Sequence, residues 1–231
     1  MLVCIPNVLE AAQLVSLRER LAPANDRAND WVDGRVTAGY QGAPVKFNRQ
    51  IDERCDTARA CQHIVLSALE RNANFISAVL PNVVYPPMFN RYDEGMAFGA
   101  HVDGSVRLDP RDGRKIRTDV SATLFVTPPE EYDGGELEIE DSFALQRIKL
   151  KAGSLVIYPA TTLHRVQPVT RGSRLACFFW VQSLVRDAGQ RSILFDMDNA
   201  IQKLNETGAD ESARRTLVGC YHNLLRQWSD T

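Results

Sequence analysis

The fold class is decided by residues 154–184, SLVIYPATTLHRVQPVTRGSRLACFFWVQSL. This stretch contains short segments rich in Val, Ile, Tyr, Phe and Trp, with a turn signal at Arg171-Gly172. Such segments predict antiparallel β-strands. The same pattern extends back to about residue 81 and gives about eight strand candidates: residues 83–93, 97–103, 117–127, 135–141, 143–150, 154–160, 164–170 and 174–184.

No long helical pattern separates these strands, which argues against a wound parallel sheet. Their number predicts an eight-stranded double-sheet barrel of the jelly-roll or cupin kind. Apolar periodicity predicts helices over residues 8–22, ended by Pro23, over residues 60–78, and in two stretches after residue 186 that Gly208 separates. We therefore predict an α+β protein in three parts: an N-terminal support of helices and strands (1–80), a β-barrel core (81–182) and a C-terminal helical extension (183–231).

The composition excludes several classes of partner. The chain has 231 residues, with 27 basic and 29 acidic side chains, so it lacks the overall field that attracts nucleic acid or anionic lipid. Residues 107–117 could form a local basic patch, or they could be an ordinary solvated loop. No apolar run is long enough for a membrane span, and the opening MLVCIPNVLE resembles no signal peptide. The five cysteines lack C-x-x-C spacing, which predicts thiols in a reducing cytoplasm.

The histidines divide into two groups. His63 and His222 lie in predicted helices, where a structural role is the default. In contrast, His101 and Asp103 flank Val102 in a strand-like segment. Because residues i and i+2 of a strand share a face, the imidazole and the carboxylate should project together, with Val102 turned the other way into the packing.

A third candidate ligand follows the predicted strand over residues 154–160. His164 lies 61 residues after Asp103 and can return to the same mouth of a barrel. Two imidazoles and one carboxylate form the facial triad of non-haem iron(II) oxygenases. This set leaves three positions open for a bidentate co-substrate and O2, so we predict that His101, Asp103 and His164 bind a metal.

Arg174 lies ten residues after His164 and follows the turn at residues 171–172. A hairpin over residues 164–174 would bring Arg174 beside the strand that carries the metal ligand. An arginine inside a barrel is costly unless it meets an anion. A dicarboxylate co-substrate would supply one in a bidentate pair. A structural ion pair with a carboxylate of the barrel would explain Arg174 equally well.

At this point the chain resembles the 2-oxoglutarate and iron(II)-dependent dioxygenases, whose motif is H-x-D, then H, then R or K about ten residues later. More closely, it resembles the bacterial PKHD-type hydroxylases, relatives of the prolyl and lysyl hydroxylases. The resemblance runs over nearly the whole chain. It is carried by the blocks MLVCIPNVL (1–9), WVDGRVTAGYQGAPVKFNRQ (31–50), FNRYDEGMAFGAHVD (89–103), RTDVSATLFVTPPEEYDGGELEIED (117–141), LVIYPATTLHRVQPVTRGSRLACFFWVQSLVRD (155–187) and YHNLLRQW (221–228).

The resemblance implies a double-stranded β-helix core with a helical C-terminal extension. It also implies Fe(II) held by His101, Asp103 and His164, and 2-oxoglutarate held at its far carboxylate by Arg174. The implied activity is hydroxylation of an unidentified substrate with O2, coupled to conversion of 2-oxoglutarate to succinate and CO2. Members of this family commonly depend on ascorbate and are often linked to iron uptake.

One position departs from the family pattern. Related hydroxylases often carry Tyr three residues before the first metal-binding His, where this chain has Phe98. One hydrogen bond to the co-substrate is therefore in doubt. Tyr92 on the preceding strand could supply a hydroxyl to 2-oxoglutarate, or it could be an ordinary core residue.

Two other functions remain open from the residues alone. A cupin-like module could bind a metal or a small ligand without oxidising anything, and it would not need Arg174. A zinc hydrolase could use the same three ligands, although no general base is evident beside them. The primary substrate is not readable, and the C-terminal helices could pack on the barrel or form a homo-oligomer with a second copy.

Overall fold

The structure is a computed structural model that describes residues 1–22, 30–140, 144–208 and 210–230. Five α-helices run through these ranges: α1 (Ala11–Leu21), α2 (Asp56–Leu69), α3 (Ala73–Val79), α4 (Ala188–Glu206) and α5 (Glu211–Trp228). Three short 3₁₀ helices span Gly34–Thr37, Ala43–Val45 and Pro129–Glu131. Sixteen strands complete the described elements: β1 (Val3–Ile5), β2 (Trp31–Asp33), β3 (Lys46–Phe47), β4 (Arg49–Ile51), β5 (Pro81–Val84), β6 (Met88–Asp93), β7 (Ala97–His101), β8 (Val106–Leu108), β9 (Lys115–Arg117), β10 (Val120–Phe125), β11 (Tyr132–Gly134), β12 (Leu137–Glu140), β13 (Leu145–Ile148), β14 (Leu155–Pro159), β15 (His164–Val166) and β16 (Val169–Ser183).

The strands form two antiparallel sheets and one separate hairpin. The larger sheet has the order β1-β14-β10-β16-β6-β4-β2, and β5 and β11 also pair with β16. The smaller sheet has the order β13-β12-β15-β7-β3, and β8 pairs with β9 alone. Two antiparallel sheets with non-sequential neighbours form a jelly-roll core. The predicted α+β class with a double-sheet core is therefore confirmed.

The central strands of the larger sheet are buried on both faces. All six residues of β10 are buried, and β14 is buried from Leu155 to Tyr158. Leu155 and Ile157 pack toward α1, α2 and α3, whereas Val156 and Tyr158 belong to the core between the sheets. This alternation follows from the two-residue period of a strand, and it explains why these segments read as continuous apolar runs.

The N-terminal helices cover the outer face of the larger sheet. A helix was expected over residues 8–22, and α1 begins three residues later and ends one residue earlier. Pro23, which was expected to end the helix, lies outside the described residues. The prediction of a single helix over residues 60–78 is wrong, because the chain forms α2 and α3 with a break between them. The break is at Asn72, whose side chain caps α3 by accepting a hydrogen bond from the backbone N–H of Phe75.

The C-terminal helices pack against the same chain. Leu80, Val185 and Leu194 form a buried cluster against which Tyr221 and Trp228 pack. The turn between α4 and α5 passes through Gly208 at a φ of +65°, as the sequence predicted. A homo-oligomer through these helices stays a prediction. None of the helices in the described ranges has the length and apolarity that a membrane span requires.

Several short strands were not expected from the sequence. The segment 83–93 is divided into β5 and β6 by Pro86 and Pro87, because proline cannot donate to a strand ladder. The hairpin β8–β9 lies where the sequence suggested a loop. Strands of three residues, such as β1 and β11, are too short for their alternation to be recognised in the sequence.

Candidate metal centre and co-substrate pocket

A cavity of about 400 Å³ opens between the two sheets. Its inner wall comes from strands of both sheets and includes Tyr92, Tyr158 and Val166. Its mouth is built from residues 37–42 and 102–107. A cavity of this size and position suits a small co-substrate together with part of a second molecule.

His101 and His164 are cross-strand partners in the smaller sheet. Strand β7 pairs with β15 so that the two histidines lie opposite each other, and their ring centroids are 4.2 Å apart. They are separated by 63 positions in the sequence, so only the pairing of β7 with β15 brings them together. Both side chains are nearly buried.

Asp103 completes the cluster from a loop. Asp103 was expected to lie in a strand, but strand β7 ends at His101. Its Oδ1 lies 3.9 Å from Nε2 of His101, and its Oδ2 lies 3.8 Å from Nε2 of His164. The three ligand atoms lie within 4.8 Å of one another. The expectation that Val102 turns into the packing is wrong: Val102 is 49% exposed and lines the cavity.

Hydrogen bonds orient all three side chains toward a common centre. Nδ1 of His101 lies 2.8 Å from the carbonyl oxygen of Gly99, and Nδ1 of His164 lies 3.0 Å from that of Thr162. Each Nδ1 can therefore donate its proton to a backbone carbonyl, which leaves Nε2 as a lone-pair donor. Ser121 Oγ donates to Oδ2 of Asp103 at 2.5 Å. Such outer hydrogen bonds accompany metal-binding ligands in general.

The electrostatics of the site keep His101 in the form that a metal ligand requires. Burial lowers the pKa of His101 to about 4, and the neighbouring His164 acts in the same direction. The imidazole is therefore neutral at physiological pH. Phe98 stacks on the ring of His101 at a centroid distance of 3.6 Å, and Tyr158 meets His164 edge-on at 5.1 Å.

Arg174 reaches the interior by a different route from the one expected. The prediction of a hairpin over residues 164–174 is wrong, because β15 belongs to the smaller sheet and β16 to the larger one. Arg174 therefore approaches from the opposite wall of the barrel. It is 1% exposed, and its guanidinium carbon lies 5.4 Å from the ring of Tyr92 and 5.3 Å from that of Phe125.

The guanidinium of Arg174 has unused hydrogen-bonding capacity. Its Nε and Nη2 are buried and have no hydrogen-bond partner, and no carboxylate of the described residues lies within 4.0 Å. The alternative of a structural ion pair therefore finds no support. Gly135 gives the side chain its space, because a Cβ there would lie 3.0 Å from Cδ of Arg174. A buried cation of this kind calls for an anionic ligand.

Tyr92 is opposite Arg174 in the pairing of β6 with β16. It is buried and lines the cavity, and burial raises the pKa of its hydroxyl to about 12. The hydroxyl therefore stays protonated and can donate a hydrogen bond. Its role toward a co-substrate stays a prediction.

Two cavity residues were missed by the sequence reading. Lys46 is 4% exposed and Arg107 is half-buried, and both line the cavity. Each reads in the sequence as an ordinary surface cation, and no local pattern marks either one. Arg107 fell within the basic patch suggested over residues 107–117, where Arg111 and Arg117 instead pair with aspartates.

Comparisons with known proteins agree with this site. The model of the 2OG-Fe(II) oxygenase superfamily matches residues 87–182, and that of the PKHD-type hydroxylase C-terminal domain matches residues 188–230. A PKHD-type hydroxylase of Cupriavidus metallidurans is 71% identical over 231 residues, and one of Cupriavidus pinatubonensis is 68% identical; each alignment covers 100% of both chains.

Solved structures resemble the fold at low sequence identity. A prolyl hydroxylase from Trichoplax adhaerens, solved with a peptide fragment of hypoxia inducible factor, has a TM-score of 0.57 at 16% identity, covering 83% of this chain and 86% of that one. A prolyl-4-hydroxylase of Pseudomonas putida has a TM-score of 0.54 at 18% identity, covering 79% and 92%. This likeness concerns the fold alone.

The fold and the ligand cluster define the class of the 2OG-Fe(II) oxygenases. Within this class, the full-length identity places the chain among the PKHD-type hydroxylases, and it belongs to that family.

Proposed function

We propose that the chain is an Fe(II)- and 2-oxoglutarate-dependent dioxygenase that hydroxylates an unidentified primary substrate. 2-Oxoglutarate and O2 would be consumed, and succinate and CO2 would be formed. The observation that carries this proposal is the pairing of a three-ligand cluster with a buried, unpartnered guanidinium in one barrel. Neither feature alone distinguishes an oxygenase from a metal-binding module.

In this proposal, His101, Asp103 and His164 hold the iron. The donor set of two neutral imidazoles and one carboxylate suits Fe(II) and leaves positions open on one side. The Nδ1 contacts of both histidines to backbone carbonyls fix each Nε2 toward the centre. Ser121 holds Asp103 in place through its 2.5 Å hydrogen bond, so the ligands need little reorganisation when the metal binds.

Arg174 would bind the distal carboxylate of 2-oxoglutarate. A guanidinium presents parallel N–H groups to a carboxylate, which fixes the orientation of the co-substrate as well as its position. Tyr92 would donate its hydroxyl to the same molecule from the neighbouring strand. Together these contacts would hold the keto acid end toward the three metal ligands.

Iron(II) with bound 2-oxoglutarate supplies the activation of O2 and the oxidation of a substrate C–H bond. The chain provides the surroundings for this chemistry. Phe98 and Tyr158 shield the two imidazoles with aromatic rings. Leu137 and Val166 add apolar wall to the same cavity, which limits the access of water to the reacting groups.

An anaerobic titration tests the proposal. Iron-free protein receives Fe(II) and then 2-oxoglutarate, and we expect a weak visible charge-transfer band that requires both. On admission of air, succinate should form slowly even without a primary substrate. Zn(II) should support neither signal. An iron-loaded protein that forms no succinate would overturn the proposal.

The same titration separates the competing functions. A cupin-like binding module would bind metal with equal affinity with and without 2-oxoglutarate, and replacement of Arg174 would change nothing. A zinc hydrolase would be active with Zn(II) and indifferent to O2. Dependence on ascorbate, a link to iron uptake, a cytoplasmic location and the domain boundaries at residues 80 and 182 stay predictions.

A further inference from the structure

Lys46 places a buried positive charge at the cavity. It lies on β3, which pairs with β7 beside the metal ligands. Its Nζ donates to Oγ1 of Thr37 at 3.2 Å and to Oε1 of Gln50 at 3.1 Å. An ammonium group has three donors, so one donor remains after these two bonds. No carboxylate of the described residues lies within 4.0 Å of Nζ.

Arg107 places a second charge at the same mouth. Its guanidinium carbon lies 4.3 Å from the ring centroid of Trp180 and 5.1 Å from that of Tyr85. Its Nε is buried without a hydrogen-bond partner. The other arginines of this hairpin differ: Arg111 forms an ion pair with Asp109 at 2.6 Å. Arg107 is thus a cation without a carboxylate partner among the described residues.

The two cations lie over neighbouring rings that line the same cavity. Lys46 Nζ lies 5.4 Å from the ring of Phe178, and Phe178 meets Trp180 edge-on at a centroid distance of 5.6 Å. Burial lowers the pKa of Lys46 to about 8, and the charge of Arg107 acts next in the same direction. Two like charges held together in a partly buried site are unfavourable until an anion joins them.

The carboxylates nearby do not fill this role. Asp103 belongs to the metal cluster and accepts a hydrogen bond from Ser121. Among the described residues, Glu53 is half-buried and its charge also acts on both cations; it accepts a hydrogen bond from Tyr85 at 3.3 Å and forms no ion pair with either cation. Because one carboxylate offsets at most one of the two positive charges, at least one positive charge remains for a ligand.

We infer that Lys46 and Arg107 form a binding site for a carboxylate of the primary substrate, on the inner side of the mouth, where the buried Lys46 donates to Thr37 of the mouth segment 37–42. This inference rests on the proposed function. One remaining positive charge matches a monoanion, and the ammonium and guanidinium donors match its two oxygens. The rings of Phe98, Phe178 and Trp180 line the cavity around them, so the part of the substrate next to the carboxylate should be apolar or aromatic.

This site is separate from the one proposed for the co-substrate. Arg174 packs against Tyr92 and Phe125 in the interior of the barrel, whereas Lys46 and Arg107 lie over rings at the mouth. A molecule whose carboxylate is held at the mouth would extend toward the metal ligands. The oxidised C–H bond would then lie on the apolar body of the substrate, between the two anion sites.

Calorimetry on the holoprotein tests the inference. The protein is loaded anaerobically with Fe(II) and saturated with 2-oxoglutarate, so that Arg174 is occupied. Phenylacetate is the probe, and phenylacetamide is its uncharged counterpart. We expect phenylacetate to bind the wild type, and to bind Lys46→Met and Arg107→Met about tenfold or more weakly. Phenylacetamide should bind all forms weakly. Lys151→Met, which removes an exposed positive charge, is the matched control and should bind phenylacetate as the wild type does.

Several outcomes would overturn the inference. One is equal phenylacetate affinity in the wild type and in both variants, and another is no binding by the wild type. A third is a loss of 2-oxoglutarate affinity in the variants that equals their loss of phenylacetate affinity, because Lys46 and Arg107 would then bind the co-substrate. Arg107 is half-buried on a surface hairpin, so Arg107→Met tests the site independently of Lys46→Met. A wild type that binds neither Fe(II) nor 2-oxoglutarate would instead contradict the proposed function.

Discussion

The interior and the mouth of the cavity are built differently. In the interior, His101 and His164 are paired across two strands, and Arg174 lies in the fifteen-residue strand β16. At the mouth, Lys46 lies in a strand of two residues and Arg107 in one of three. Tyr40, in the mouth segment 37–42, is 87% exposed. The interior strands β7, β15 and β16 have neighbours on both sides, whereas β3 lies at a sheet edge and β8 belongs to a two-stranded hairpin. Edge strands and loops can change with less disturbance of the core.

The interior and the mouth of the cavity therefore have different tasks. The interior places groups whose geometry the chemistry dictates, and hydrogen bonds to backbone carbonyls secure them. The mouth places charges and rings that can select a substrate. We therefore expect interior variants to impair the binding of metal or co-substrate, and mouth variants to leave the metal in place.

The largest effect should come from Asp103→Ala. This change removes the only carboxylate of the ligand cluster, and we expect Fe(II) affinity to fall by more than about 100-fold. The visible band with Fe(II) and 2-oxoglutarate should disappear, and succinate should not form. Asp112→Ala, which removes an exposed carboxylate, is the control. Retention of the band in Asp103→Ala would show that the interior cluster does not need Asp103 to bind the metal.

Arg174→Met should have the next largest effect. Loss of a buried charge partner costs about 3–5 kcal/mol, so the dissociation constant for 2-oxoglutarate should rise by at least about 100-fold while Fe(II) still binds. Without co-substrate, the variant should melt at a higher temperature than the wild type, because an unpartnered buried cation is removed. Arg171→Met, on the same strand but in an exposed ion pair, is the control. Equal loss of metal and 2-oxoglutarate affinity would show that Arg174 is structural.

Lys46→Met should change the pH dependence of the free energy of unfolding, because it removes a buried positive charge. The pKa of Lys46 is about 8 in the folded protein, against about 10.4 in an unfolded chain. Folding therefore disfavours the proton, and the resulting destabilisation is complete below pH 8 and vanishes as the pH rises toward about 10.4. We expect the variant to exceed the wild type in unfolding free energy by up to about 3 kcal/mol at pH 7.

Urea denaturation of the metal-free proteins between pH 7 and pH 10 measures this difference. The gap between Lys46→Met and the wild type should close as the pH rises, whereas Lys151→Met should show no such trend. A gap that does not change with pH would mean that Lys46 is not held as a destabilised cation.

The smallest effect should come from Ser121→Ala. It removes the 2.5 Å hydrogen bond to Oδ2 of Asp103 but no metal ligand. We expect Fe(II) affinity to fall by about tenfold, measured by competition with a chelator. Ser173→Ala, which removes a buried hydroxyl without a hydrogen-bond partner, is the matched control. No change in Ser121→Ala would show that Asp103 is already fixed by other contacts.

The candidate site was partly predictable, for reasons that its residues illustrate. His101 and Asp103 were paired by the alternation of a strand, yet the strand ends at His101 and Val102 is exposed. Arg174 was expected inside the barrel, and it lies there, but the hairpin expected to bring it is absent from the described sheets. Lys46 gave no signal, because a lysine at the surface and one beneath a loop have the same local sequence.

The amino-acid sequence was sufficient to predict a β-rich core and to identify the candidate ligands. Apolar and β-branched segments with Pro and Gly between them specify a β-rich core, because local composition and period carry that information. The neighbours of each strand were known only from the folded structure. It set His101 opposite His164, separated β15 from β16, and brought Lys46 and Arg107 to one cavity. Strand pairing and register depend on contacts between distant segments, which no local pattern encodes.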